Sequence, residues 1–283
     1  MSKRLLGLLA LALALAVPGT AAAAVPQRIV SLSPTATEDL FAVGAGKQVV
    51  AVDDQSNYPA SAPHTKLSGY TPNAEAIAKY NPDLVVVSND TNGIVATLGK
   101  LHIRVLVEPA ASNLPGAYAQ IEQLGAVTGH AAKAHAVVAG LRSSVKQIAS
   151  SMPADAKGLS VYEEISPDYY SVTSKTFMGQ VLHLLGLKDI ADAADKTGSG
   201  YPKLSAEYIV AANPDVIVLA DTKCCGQTAA TVKARPGWTS IRAVTDGGVV
   251  GVSDDVASRW GPRIVQVMRS VAATVKTVAA HKQ

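Results

Sequence analysis

The chain has 283 residues, 48% hydrophobic and 17% charged, with 22 Gly, 15 Pro and two Cys. Those figures exclude wholesale disorder, a collagen-like chain and a small disulfide scaffold, and give length for two medium α/β domains or one large one. The net charge is +3, or +1 once Lys3 and Arg4 are set aside with the leader described next, and no Lys/Arg cluster occurs. Nucleic acid and anionic membrane are therefore excluded as main partners.

Met1–Ala24 reads as a secretory signal peptide. Lys3 and Arg4 form its positive start, Leu5–Val17 is a 13-residue apolar run, Pro18-Gly19 breaks that run, and Ala21–Ala24 supplies small residues for cleavage. The alternative is an uncleaved anchor, but the run is shorter than the ~20 residues a spanning helix needs. No later stretch reaches that length, and no Cys lies near the cleavage point. A soluble periplasmic or secreted protein without a lipid anchor is expected.

Arg28–Leu32 is β-branched and apolar, a short buried strand. Ser33-Pro34 then caps and opens a helix from Thr35 to about Val43, ended at Gly44. Val49–Val52 is a second strand, and the Pro-rich Asp53–Gly69 region is a loop. A short helix over Asn73–Tyr80 stops at Asn81-Pro82. A strand over Leu84–Val87, a helix over Thr91–Lys100 and a strand over Val105–Val107 follow. Strands alternating with helices imply a parallel sheet. From about His130 to Ser151 the apolar residues recur at helical spacing, giving a helix about 30 Å long. Alternation resumes with Leu159–Glu163, Thr176–Leu185, Tyr208–Ala212, Val216–Leu219 and Val249–Gly251. Trp260 to Ala280 forms a closing amphipathic helix.

The second half repeats the first. Ala74–Val87 (AEAIAKYNPDLVVV) aligns without gaps on Ala206–Leu219 (AEYIVAANPDVIVL) at an offset of 132 residues. The offset is far too long for a solenoid. Two similar α/β lobes joined by one long helix are expected: an N-terminal lobe over 25–128, a bridging helix over 129–152 and a C-terminal lobe over 153–283. Glu75 and Glu207 open the repeated helices, where a carboxylate suits the helix dipole. Helix-start capping explains either Glu alone. As a matched pair on two lobes they suit a two-armed docking surface. They suit acid/base catalysis less well, since that needs carboxyl groups within ~10 Å.

The only cysteines, Cys224-Cys225, are adjacent. In an oxidising compartment they are expected to pair as a vicinal disulfide in a loop; free thiols, a redox pair or a metal site are the alternatives.

The opening Arg28–Gly44 segment (RIVSLSPTATEDLFAVG), the two Glu…Asn-Pro-Asp units and the long central helix resemble the substrate-binding proteins of ABC importers for vitamin B12, haem and ferric siderophores. The resemblance runs from about Arg28 to Ala280. It implies two Rossmann-like lobes with parallel sheets bridged by a rigid helix, with ligand in the cleft between them. It further implies that Glu75 and Glu207 dock to arginines of a membrane permease. Tyr201-Pro202 matches an aromatic-Pro pair ahead of the second Glu, and Arg259-Trp260-Gly261-Pro262-Arg263 keeps an Arg-x-x-Pro-Arg spacing. On that footing Tyr70, Tyr201, Trp260 and Tyr170 are candidates to stack on a flat macrocycle, and Arg259 to face a ligand anion or amide. Each also has a plainer reading: half-buried loop tyrosines, a core Trp260, and Arg263 paired with a surface carboxylate.

Enzyme motifs fail on inspection. Gly44-Ala45-Gly46 lacks the third glycine of a dinucleotide loop, there is no phosphate-binding loop or G-x-S-x-G elbow, and the six His form no metal-ligand motif. The expected function is capture of a metal chelate, cobalamin ahead of a ferric siderophore or haem. The chain would act as a monomer, with no catalytic cofactor, and would deliver its ligand to an ABC importer permease. An exported hydrolase is the rival reading.

Overall fold

The computed structural model describes residues 24–281. The leader assigned to Met1–Ala24 lies outside them apart from Ala24. The first half runs β1 (Ile29–Leu32), α1 (Pro34–Ala42), β2 (Val49–Val52), α2 (Ala74–Ala78), β3 (Leu84–Val87), α3 (Ile94–Lys100), β4 (Arg104–Val107) and α4 (Leu114–Val127). The long helix α5 (Ala131–Ser150) follows. The second half runs β5 (Ser160–Glu164), α6 (Phe177–Leu184), β6 (Lys188–Asp189), α7 (Ala206–Ala212), β7 (Val216–Leu219) and α8 (Thr222–Cys225). It continues with α9 (Ala229–Lys233), α10 (Arg242–Thr245), β8 (Val249–Gly251), α11 (Asp254–Ala257) and α12 (Ile264–Ala280). Among the described residues, no helix is long and apolar enough to cross a membrane.

Two four-stranded sheets result, in the orders β2-β1-β3-β4 and β6-β5-β7-β8. Every pairing is parallel. The central strands β1, β3 and β7 are buried along their whole length and β5 over all but its first residue, as strands covered on both faces must be.

The internal repeat has a structural cause. Asn81 and Asn213 adopt φ of 47° and 48°, the left-handed conformation that Asn tolerates better than most residues. The following Pro prevents continuation of the helix. Asp83 then accepts the N–H groups of Gln27 (2.7 Å) and Arg28 (3.0 Å), holding the start of β1. Asp215 does the same for β5, accepting the Ser160 N–H (2.8 Å) and hydroxyl (2.9 Å). Each Asn-Pro-Asp thus ends a helix, turns the chain and fixes the first strand of its sheet.

Alternation along the strands sorts the core. Ile29, Leu84 and Val86 of the first sheet, and Val161, Val216 and Val218 of the second, all face one continuous apolar cluster. Helix α5 contributes Ala134, Val138, Leu141, Val145 and Ile148 to that cluster, at spacings of three and four. The opposite faces are private: Val30, Leu32, Val85 and Val87 pack with Ile77 and Leu98, whereas Tyr162, Ile217 and Leu219 pack with Ile209 and Trp238.

Several elements are absent from the sequence reading: the two-residue β6, the short helices α8 to α11 and, longest of them, α4. Helix α4 fills 114–127, capped by the Asn113 side chain, which accepts the Gly116 N–H at 2.8 Å. Gly116 and Gly125 mask its pattern, since each lowers helix propensity by about 1 kcal/mol. Gly125 is required by packing, because a Cβ there would collide with the Ala134 side chain on α5.

Candidate ligand-binding cleft

Parallel α/β sheets place their loops at the carboxyl ends of the strands, and both sheets here turn those ends toward one cleft. Its larger part is a cavity of about 670 Å³ on the second-sheet side, lined by Ile165, Val172, Phe177, Met178 and Tyr201 among others. A smaller part of about 240 Å³ lies against the first sheet, at Ser33, Thr35, Tyr70 and Asn89. Asp255, Ser258, Arg259 and Trp260 line both parts. The segment between β8 and α12 is therefore the ridge of the cleft.

Two loops present tyrosines to it. Tyr70 is 79% exposed and Tyr201 is 54% exposed, one from each half of the cleft. Gly69 brings the first loop against β1, where an added Cβ would stand 2.6 Å from the Leu32 carbonyl oxygen. Trp260 is half-buried and lines both parts. Its indole N–H donates to Gln120 Oε1 at 2.7 Å, which fixes the ring. Tyr170 is 41% exposed but does not line the cleft. Its ring lies under Lys203 Nζ at 5.6 Å, and its backbone bridges to Lys203.

Arg259 lines the cleft and is also committed to partners within the protein. It is only 6% exposed, and its guanidinium donates to Glu38 Oε1 (2.7 Å), Asn57 Oδ1 (3.0 Å) and the Gln55 carbonyl (2.9 Å). Arg263 donates to the same carboxylate, its Nε 2.8 Å from Glu38 Oε2, and stacks 4.1 Å above the Tyr58 ring. Its partner is thus a buried carboxylate and not a surface one. Glu38 belongs to α1 of the first half and the arginines to the second, so the cluster ties the halves together beside the cleft. Asp39 lies next to it, pushed well up by burial and then by the charges of Glu38 and Glu108. Burial raises Glu108 itself to about 7.

Other charged groups on the ridge are also engaged within the protein. Asp254 accepts the N–H groups of Lys223 (2.9 Å) and Cys224 (2.7 Å) and the Thr222 hydroxyl (3.0 Å), holding the start of α8. Asp255 meets Lys223 Nζ at 2.7 Å and Asn57 Nδ2 at 2.9 Å. Cys224 and Cys225 are joined as a disulfide at the end of α8, a single helical turn where the sequence indicates a loop, and Cys224 lines the larger cavity. What the cleft offers a ligand is an apolar floor, aromatic rims from Tyr70, Tyr201 and Trp260, and polar side chains around them, the pattern of a small-molecule site.

Glu75 and Glu207 are both exposed, each second in its helix, behind the side-chain caps Asn73 and Ser205. A hydrogen bond from its own backbone N–H, then one from Ser205, hold Glu207 below the usual carboxylate range. Both helices run antiparallel to the strands that follow their tight turns. Both carboxylates therefore stand at the strand-end edge that also carries the cleft.

Sequence reasoning missed Glu38, Gln120 and the cavity residues Phe177, Met178 and Glu163. A signal existed for Glu163: two acids in succession at the carboxyl end of an otherwise apolar strand.

Comparison with known proteins places the chain firmly. Residues 29–256 match the model of a family described as periplasmic binding protein. An uncharacterized ABC transporter substrate-binding lipoprotein of Bacillus subtilis, YvrC, is 32% identical over 259 residues, spanning 88% of this chain and 80% of its own. A cobalamin-binding protein of Halobacterium salinarum is 32% identical over 255 residues, 87% of this chain and 69% of its own. Among solved structures, a possible iron-binding (periplasmic solute-binding) protein of Staphylococcus epidermidis superposes with a TM-score of 0.75 at 26% identity, covering 88% of this chain and 98% of its own.

Proposed function

The chain belongs to the periplasmic binding protein family, and on that footing we propose that it captures a metal chelate in the cleft and hands it to an ABC importer. The single observation that carries this reading is the cavity of about 670 Å³ at the strand ends, apolar-floored and rimmed by Tyr201 and Trp260. A broad ligand with a flat apolar face and polar edges fits such a lining. Cobalamin is the favoured ligand, supported by the 32%-identical cobalamin-binding relative. A ferric chelate is the second reading, favoured by the likeness to the Staphylococcus protein. Tyr70, Tyr201 and Trp260 form the ligand contacts. Arg259 serves them from behind by holding the ridge to α1. Glu75 and Glu207 are the permease contacts, one on each half. The protein acts outside the cytoplasm, as a monomer, with no chemical step.

The test is calorimetric titration of the purified mature protein with cobalamin, haem and a set of ferric siderophores. Tight one-to-one binding of a single member identifies the transported ligand. Absence of heat across the whole set overturns the reading.

A further inference from the structure

Glu163, the fourth of the five residues of β5, lines the larger cavity and is 1% exposed. Its side chain shares the sheet face of Val161, toward the common core and the cleft, while Tyr162 and Glu164 face the other way. The two neighbouring acids are treated very differently. Glu164 is fully buried and clasped by Arg235 through two contacts of 2.6 Å. The Glu163 carboxyl meets no donor or acceptor among the described residues, and its Oε2 is enclosed without a partner. Desolvation, reinforced by the charge of Asp189, raises Glu163 to about 8. An unpaired buried carboxylate is expensive, so below that point the group is a neutral acid. A neutral acid carries one O–H donor that the protein leaves unused. The charged and titratable groups around it are Asp189 on β6, Lys175 ahead of α6, Arg259 with Asp254 and Asp255 across the cavity, and Tyr201 at the rim. The last four side-chain sets are held or exposed, and none bonds the Glu163 carboxyl.

We propose that Glu163 is a specificity residue of the cleft, donating its carboxyl hydrogen bond to an acceptor oxygen, carboxamide or carboxylate, on the bound chelate. The assignment rests on the chelate reading above. It gives the ligand a chemical requirement: an oxygen-bearing side group must reach the floor of the cavity. A ligand that presents only alkyl groups to the floor of the cavity is disfavoured, because the acid's O–H would stay unpaired. Binding holds the proton on Glu163. The sign then follows from linkage: affinity is full below the titration of Glu163 and falls as pH rises through it.

The experiment titrates wild type, Glu163→Gln, Glu163→Met and Asp189→Asn with cyanocobalamin and with haem, near pH 6.5 and near pH 9.5, which bracket the titration at about 8. Wild type is expected to lose about thirtyfold in affinity between the two, one decade per unit above the titration. Glu163→Gln keeps an N–H donor that does not titrate. Its affinity near pH 6.5 is expected to stay within about threefold of wild type, with the pH dependence gone. Glu163→Met keeps the length without a donor and is expected to bind about tenfold more weakly near pH 6.5. Asp189→Asn removes the charge that helps raise Glu163, so it is expected to keep the loss of affinity with its onset at lower pH; loss of the pH dependence in this variant overturns the assignment to Glu163. The proposal is overturned if Glu163→Gln shows the same pH loss as wild type, or if Glu163→Met binds as tightly as wild type near pH 6.5. If cyanocobalamin, haem and the ferric siderophores all fail to bind wild type while circular dichroism shows it folded, the chelate reading itself fails and takes this assignment with it.

Discussion

Glu38 carries two arginines on one carboxylate, and the sequence shows it only as an acid in the first turns of an amphipathic helix. Its side chain is 2% exposed, and those of Arg259 and Arg263 are 7% and 16% exposed. Water screens such a cluster weakly, so removing the shared acid strands two guanidinium groups against each other. Glu38→Ala is expected to lower unfolding free energy by about 3–5 kcal/mol, read from urea denaturation. The family resemblance suggests Arg259 and Trp260 as cleft residues, and both line its cavities. Their roles depend on groups about 140 and 220 positions away, Gln120 and Glu38, which no local pattern ties to them. Tyr70 and Tyr201 stand out in the sequence in the loops just ahead of the two Glu helices, and both line the cleft, whereas Tyr170 does not.

At the scale of elements, most strands and helices are legible because parallel strands buried on both faces read as unbroken apolar runs. The repeated Asn-Pro-Asp is the clearest case. Its Asn, Pro and Asp each answer a separate need: left-handed backbone, helix arrest, and paired acceptance of strand N–H groups. Asp83→Ala should therefore destabilise the protein by about 1–3 kcal/mol, since it leaves two backbone donors at the start of β1 without an acceptor. The cleft is remote from that end of the strand, so ligand affinity in the same calorimetric assay should not change. Helix α4 escaped notice because its glycines serve close packing against α5, a tertiary demand that opposes local propensity.

At the scale of the molecule, the long helix is no free hinge. It is embedded in the apolar cluster that both sheets share. Sliding the halves apart would expose that cluster, and the Glu38–Arg259–Arg263 contacts resist it further. Ligand binding is accordingly expected to move the halves little. Spin labels at the exposed positions Lys79 and Lys203 should show a distance change of no more than about 2 Å on adding ligand, measured by pulsed electron resonance. A near-rigid two-armed body is also what a docking surface with one carboxylate per arm requires. Reversing charge at Glu75 and Glu207 together should abolish uptake by cells, while affinity of the purified protein for its ligand stays as in wild type. A loss of affinity instead would make these carboxylates ligand contacts.

Periodicity, turn chemistry and the 132-residue repeat by themselves determined the two parallel sheets, the long helix between them and the matched Glu75 and Glu207. These features arise from interactions within a few residues or from a pattern copied along the chain. The interior of the cleft was decided only by tertiary structure. Whether Arg259 meets Glu38, whether Glu163 gains a counter-ion or stays neutral, and whether Tyr170 lines the cleft all depend on contacts between distant segments. Electrostatic and packing energies at a buried site are set by those contacts and not by sequence neighbours.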